Sequence, residues 1–418
     1  MTRPTTPIRS AFPDGGLRPT DVVGAHFLAG LTMMVGGAVF AFANALEPWQ
    51  WGRWMTLHLV FVGGVSQLVL GASQFFAGAF LATDPPSRAL VRAQLALWNL
   101  GVILLVCSVP AGVDAVVWLA VACLSACLLL YLIGFGQMRR RSLGRVPWAS
   151  RWYMTAAGFL GVGVVAGAAL ATGVPWSHGN LIAAHVALNL GGWFGTAIVG
   201  TLHTFFPSLT QSRLRFPRLQ APTFGAWAAG VAGLATGYAF SFGALAAAGW
   251  LLLLAASVML AANLIGSLIA AERVLTLAAR MVSVGQVLLV AGLLVAAGQA
   301  LAGGADAAMS GASRASVGTL LVAGWIGATV VGSLLHLLPL LLRARDFSQG
   351  MPEPRPRIDS GLAALALVAV GWVAIEQLVD AGDVGRPASA ALLVVYLVLG
   401  GKVVRLGARV AASARPGL

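Results

Sequence analysis

A dozen apolar runs, each about twenty residues or longer, alternate along the chain with short loops that hold nearly all of its arginines. They cover about 21–44, 54–82, 90–109, 113–137, 151–172, 179–206, 222–242, 244–271, 280–302, 314–342, 359–379 and 387–405. Runs of this length match the about 20 residues a helix needs to cross hydrocarbon, and far exceed the 9–11 of a barrel strand. Only 9% of residues are charged, against about 25% in a soluble domain. The pattern predicts an all-α polytopic membrane protein with 12 transmembrane helices, forming one transmembrane domain over 1–418. The lipid bilayer is its expected surrounding.

The net charge of +13 does not point to nucleic acid, because the arginines concentrate in alternate loops. One set holds Arg3, Arg9 and Arg18, Arg88 and Arg92, Arg139, Arg140, Arg141 and Arg145, then Arg213, Arg215 and Arg218. It continues with Arg273 and Arg280, Arg343, Arg345, Arg355 and Arg357, and Arg405 and Arg409. The opposite set carries Glu47, Asp114, Asp306, Asp380 and Asp383 against Arg53, Arg314 and Arg386. Under the positive-inside rule both termini are cytoplasmic, with 1–19 a cytoplasmic N-terminal segment in the cell's inner membrane. The first run is too long for the apolar region of a signal peptide and is expected to be a span. Cys107, Cys123 and Cys127 all lie inside apolar runs and offer no disulfide framework.

An internal repeat organises the spans. Gly192-Trp-Phe-Gly-Thr-Ala-Ile-Val-Gly-Thr-Leu202 in span 6 matches Gly324-Trp-Ile-Gly-Ala-Thr-Val-Val-Gly-Ser-Leu334 in span 10. Each continues through a histidine to a proline: His203 then Pro207, His336 then Pro339. Span 2 is a fainter relative, with His58 and Gly63-Gly64 set against His185 and Gly191-Gly192, and Ser73-Gln-Phe-Phe against His203-Thr-Phe-Phe. Related helices four spans apart imply three pseudo-symmetric four-helix units over 20–143, 148–275 and 280–407.

In span 6, His185 and His203 return to one face at about 100° per residue, with Asn189, Gly192, Thr196 and Gly200 near the same stripe. Trp193 and Trp325 are counted as supporting residues of the two related helices. Small residues on such a stripe also serve as a packing seam. Imidazoles inside spans are expensive, and imidazole ligates haem iron, copper and zinc. The histidines divide into an outer group (His58, His185, with His178 in the preceding loop) and an inner group (His26, His203, His336). Metal and cofactor binding is accordingly expected at His58, His185, His203 and His336, with His26 a further metal ligand. Cys123 and Cys127 share a helix face and are weaker candidates. Glu376 and Gln377 offer a possible proton entry, and Asn263 and Gln286 are expected to hydrogen-bond between helices.

Twelve spans in three four-helix arcs, with histidines on helices 2, 6 and 10, resemble the haem–copper oxidase subunit I superfamily. The segment His185-x3-Asn189-x2-Gly192-Trp193 is similar to that of its divergent NnrS-like haem- and copper-containing relatives. The resemblance implies haem (b-type) and/or copper, a redox partner protein, and a role in nitric-oxide response or electron transfer. Only His58 and His185 transfer from the family's ligand positions. Asn189 stands where an oxidase has tyrosine and span 7 lacks histidine, so an oxygen-reducing centre is not implied. The alternative is a transporter or permease with a histidine-lined pathway along spans 2, 6 and 10, and a third reading is a purely structural subunit.

Overall fold

The computed structural model describes residues 19–142, 148–379 and 386–413. Arg3, Arg9, Arg18, Arg145, Asp380 and Asp383 lie outside the described residues. The regular elements among the described residues are all helical. In chain order the long helices are α1 (Pro19–Leu46), α2 (52–81), α3 (Arg88–Ala111), α4 (Asp114–Arg141), α5 (Trp148–Ala171) and α6 (His178–Thr210). They continue with α7 (Gln220–Ala239), α8 (Gly243–Ile269), α9 (Leu277–Gly303), α10 (Gly311–Arg345), α11 (Pro356–Val379) and α12 (Arg386–Ala412). Eleven of these are long and apolar enough to cross a membrane. The exception is α7, the span expected over 222–242. It is helical over 20 residues, but its Gly, Thr, Tyr and Pro residues dilute its hydropathy.

Local sequence explains the helix ends. Ser87, Ser177 and Thr276 cap α3, α6 and α9, each side-chain oxygen accepting a backbone N–H in the first turn. Both α6 and α10 continue as helix past Pro207 and Pro339, although each proline lacks the N–H that the carbonyl four residues back (His203, Leu335) would otherwise accept.

A feature absent from the sequence reading distinguishes α2, α6 and α10. Each contains a π-helical stretch: His58–Val65, Ala187–Gly195 and Thr319–Gly327. The starting residues lie 129 and 132 positions apart, so the wide turn recurs at one place in the repeat. Glycines fall in all three stretches, weakening the preference for regular α-turns. Such turns concentrate at functional sites in proteins.

The helices pack in a recurring order. Helix α2 lies on α1, α3 and α4 and reaches α5 and α6. Helix α6 lies on α5, α7 and α8 and reaches α9, while α10 lies on α9, α11 and α12 and reaches α1. Arg345, at the end of α10, closes the circuit. Its guanidinium donates to the Val410 carbonyl within α12 (2.9 Å) and to the Ser413 hydroxyl just past its end (3.1 Å), and lies 4.0 Å from Asp21 of α1. The adjoining loop is held by Asp346, which accepts from Gln349 (2.9 Å) and Ser348 (2.7 Å). Those bonds hold its carboxyl below the usual range, so they persist above that range and are lost as pH falls through the lowered value.

Close helix contacts depend on missing side chains. On α7, a Cβ at Gly237 would lie 2.5 Å from the Ala246 backbone nitrogen of α8, whereas one at Gly225 would meet nothing within 4 Å. Gly237→Ala is expected to destabilise the protein by about 1–3 kcal/mol. Gly225→Ala, on the same helix, should be neutral or stabilise by up to about 1 kcal/mol. Thermal unfolding in detergent measures both.

Candidate functional site: an axial cavity among three helices

The stripe on α6 is occupied along its length by α5. His185 Nδ1 bonds to the Gly163 carbonyl at 3.0 Å, and a Cβ at Gly167 would lie 2.8 Å from the His185 ring. Asn189 donates to the His185 carbonyl (2.8 Å) and fills the space over Gly163. Phe159 covers Gly192, and Trp152 covers Gly200 and stacks on His203 with ring centroids 5.8 Å apart. Thr196 is buried and turns its hydroxyl to the Gly191 carbonyl. The shared face inferred from helical periodicity is therefore a packing seam.

The other histidines also have separate local partners. His58 bonds through Nδ1 to the Trp54 carbonyl (2.8 Å) and stacks on Trp54 with centroids 4.0 Å apart. His203 Nδ1 bonds to the Val199 carbonyl (2.8 Å). His26 of α1 bonds to Gln67 (2.7 Å), and His336 meets the edge of Phe205. His178 is exposed at the start of α6. Among the described residues, no group of three or more His, Cys, Asp or Glu side chains could hold a metal ion. This overturns the expected haem and copper centre at His58, His185, His203, His336 and His26, and with it the implied nitric-oxide or electron-transfer role. Cys127 is likewise a buried packing residue whose thiol donates to the Gln94 carbonyl.

The remaining candidates resolve into structural contacts. Gln286 of α9 donates to Thr329 of α10 (2.9 Å), as expected of an interhelical bond. Asn263 holds the Phe216 backbone through two bonds. Gln377 accepts from Thr319 (2.7 Å), and Glu376 from Trp372. Trp193 donates to Ser66 across the α2–α6 contact (2.9 Å), while Trp325 packs on Trp227 with centroids 5.8 Å apart.

What α2, α6 and α10 do bring together is a cavity of about 80 Å3. Its walls use the same five positions of each helix, at the spacings of 129 and 132 set by the wide turns. These are Leu68, Ala197 and Thr329, then Val69, Ile198 and Val330, then Ala72, Thr201 and Ser333. The last two layers are Ser73, Leu202 and Leu334, and Phe76, Phe205 and Leu337. Phe27 from α1, Tyr153 from α5 and Val65, one further residue of α2, complete the wall. All of these lie on the side of the bundle where α1 and α5 begin and α2, α6 and α10 end.

The lining is apolar with a few hydroxyls, and no histidine or charged side chain belongs to it. Tyr153 and Thr201 share a bond of 2.8 Å, and Thr201 also donates to the Ala197 carbonyl. Ser73 accepts from Tyr131 of α4 at 2.8 Å. An ion placed here would lose its hydration without a counter-charge, at a cost of several kcal/mol or more. A small neutral molecule meets no such penalty.

Sequence patterning did not single out Ser73, Thr201, Ser333 and Tyr153 as site residues because the site was sought at the histidines. The structural spacing places His58 opposite Ala187 and His203 opposite Gln74. None of the four histidines on α2, α6 and α10 shares a repeat position with another. The strong match between spans 6 and 10 contained the correct spacing of 132 and was the available signal.

No protein-family model matches the chain, and no curated protein matches it either.

Ser66→Ala should leave the Trp193 indole N–H buried without an acceptor and cost about 1–3 kcal/mol. A double-mutant cycle with Trp193→Phe, followed by thermal unfolding, should give a double variant less destabilised than the sum of the two single changes.

Proposed function

We propose that this chain is a membrane protein that binds and passes a small, neutral, largely apolar molecule through the axial cavity of three four-helix units. The observation that carries this reading is the construction of the cavity wall from five matched positions on each of α2, α6 and α10. The recurring packing order supports units close to 20–143, 148–275 and 280–407. Arg88, Arg92, Arg139, Arg213 and Arg343 gather at the end of the bundle nearer the cavity. Under the positive-inside rule this end is cytoplasmic.

The size of the cavity limits its occupant. Benzene fits an engineered apolar cavity of about 150 Å3, so a space of about 80 Å3 suits a molecule of only a few heavy atoms. Its walls favour an apolar body, while hydroxyls at Ser73, Thr201 and Ser333 can meet one polar end. The wide turns in α2, α6 and α10 directly precede the cavity positions in all three helices. They supply the local irregularity through which the helices can adjust.

Flux through proteoliposomes tests the proposal. Purified full-length chain should accelerate equilibration of small neutral solutes such as acetamide and short alcohols, measured by stopped-flow light scattering. Ala72→Phe with Ala197→Phe should fill the cavity and return the rate to that of protein-free liposomes, with gel filtration confirming the folded state. Equal rates with and without protein, or a folded filled variant with undiminished flux, would contradict the proposal.

A further inference from the structure

Helix α2 has a second polar face behind the cavity wall. Its sequence repeats Ser66-Gln67 as Ser73-Gln74, seven residues on, and two helical turns place the two copies on the same side. All four side chains are at most 3% exposed. The serines serve Trp193 and Tyr131. The glutamines face α1 and α3 instead: Gln67 meets His26 at 2.7 Å, and Gln74 Nε2 donates to Gln94 Oε1 at 3.1 Å. Gly71, between them, allows the close approach, since a Cβ there would lie 2.7 Å from His26 Cβ.

These bonds leave half of the polar capacity unused. His26 Nε2, Gln67 Nε2, Gln74 Oε1 and Gln94 Nε2 find no partner in the protein, although all four residues are buried. Turning an amide over does not help, because it only exchanges which atom of the pair is left over. An unpaired amide group in an apolar medium costs several kcal/mol, and hydrocarbon offers no partner. The ligand required is compact, neutral, and able to donate and accept at once.

We infer that this face is a water-binding site with two stations, one at His26 and Gln67 and one at Gln74 and Gln94. Water satisfies both the imidazole lone pair and the amide N–H groups, and internal waters typically make about three such bonds. The site lies against the cavity wall without opening through it. Ser73 faces the cavity, and Gln74, its neighbour in sequence, faces the hydrated side.

Two cysteines on α4 supply the test. Cys127 donates through its thiol to the backbone carbonyl of Gln94 and is fully buried, whereas Cys123, one turn away, is slightly more exposed. Hydroxyl radicals generated within milliseconds in 18O-water react where water resides. In the full chain in lipid nanodiscs, Cys127 and His26 should acquire 18O, with Cys127 labelled several-fold faster than Cys123. Gln74→Leu with Gln94→Leu should abolish labelling at Cys127 and leave His26 labelled, while Gln67→Leu should do the reverse. Should a variant not fold, the wild-type ratio of Cys127 to Cys123 decides alone. Labelling of Cys127 no faster than Cys123 would overturn the inference, whatever the solute-flux result.

Discussion

Three helices can converge on one axis inside a bilayer only if their neighbours hold them there from behind. Lipid supplies no hydrophobic force between helices, so close packing and interhelical hydrogen bonds must do this work. Here α5 fits against α6 through Gly163, Gly167, Gly192 and Gly200, and α9 fits against α10 through Gly285 and Gly332. On the α2 side, Trp98 donates to the Val62 carbonyl and Trp193 to Ser66. With their outer faces fixed, the three helices present Phe76, Phe205 and Leu337 toward one another at one level. The axial cavity is the space this bracing leaves.

That constraint also accounts for the histidines. A buried imidazole must have a hydrogen-bond partner, and an adjacent carbonyl is the nearest one available. His58, His185 and His203 each use a backbone carbonyl, of Trp54, Gly163 and Val199 respectively. Two of them also lie on tryptophan rings. Only the His185 bond joins two helices, α6 to α5, while His58 and His203 bond one turn back within their own helices, and the cavity is lined by aliphatic, aromatic and hydroxyl side chains.

The class of fold was legible in the sequence because length and apolarity dictate it, and the helix positions follow the apolar runs closely. The repeat between spans 6 and 10 was legible for a similar reason. Gly192, Gly200, Gly324 and Gly332 mark places where only a missing side chain permits contact. What could not be read was the registration of span 2. Setting His58 against His185 and Ser73 against His203 missed the structural spacing of 129 at both ends of the span. That misregistration hid Ala72, Thr201 and Ser333 as equivalents around a common centre. The polar face at Gln67 and Gln74 was visible as a repeat of two residues, but its unpaired atoms depend on where α1 and α3 lie.

The central claim is that a small apolar molecule occupies the axis at the level of the matched residues. An experimental structure of the protein under xenon pressure tests it most directly. One xenon atom bounded by Phe76, Phe205 and Leu337, and absent from the Ala72→Phe, Ala197→Phe variant, is the predicted result. Side chains collapsed across the axis, with no xenon between α2, α6 and α10, would contradict it.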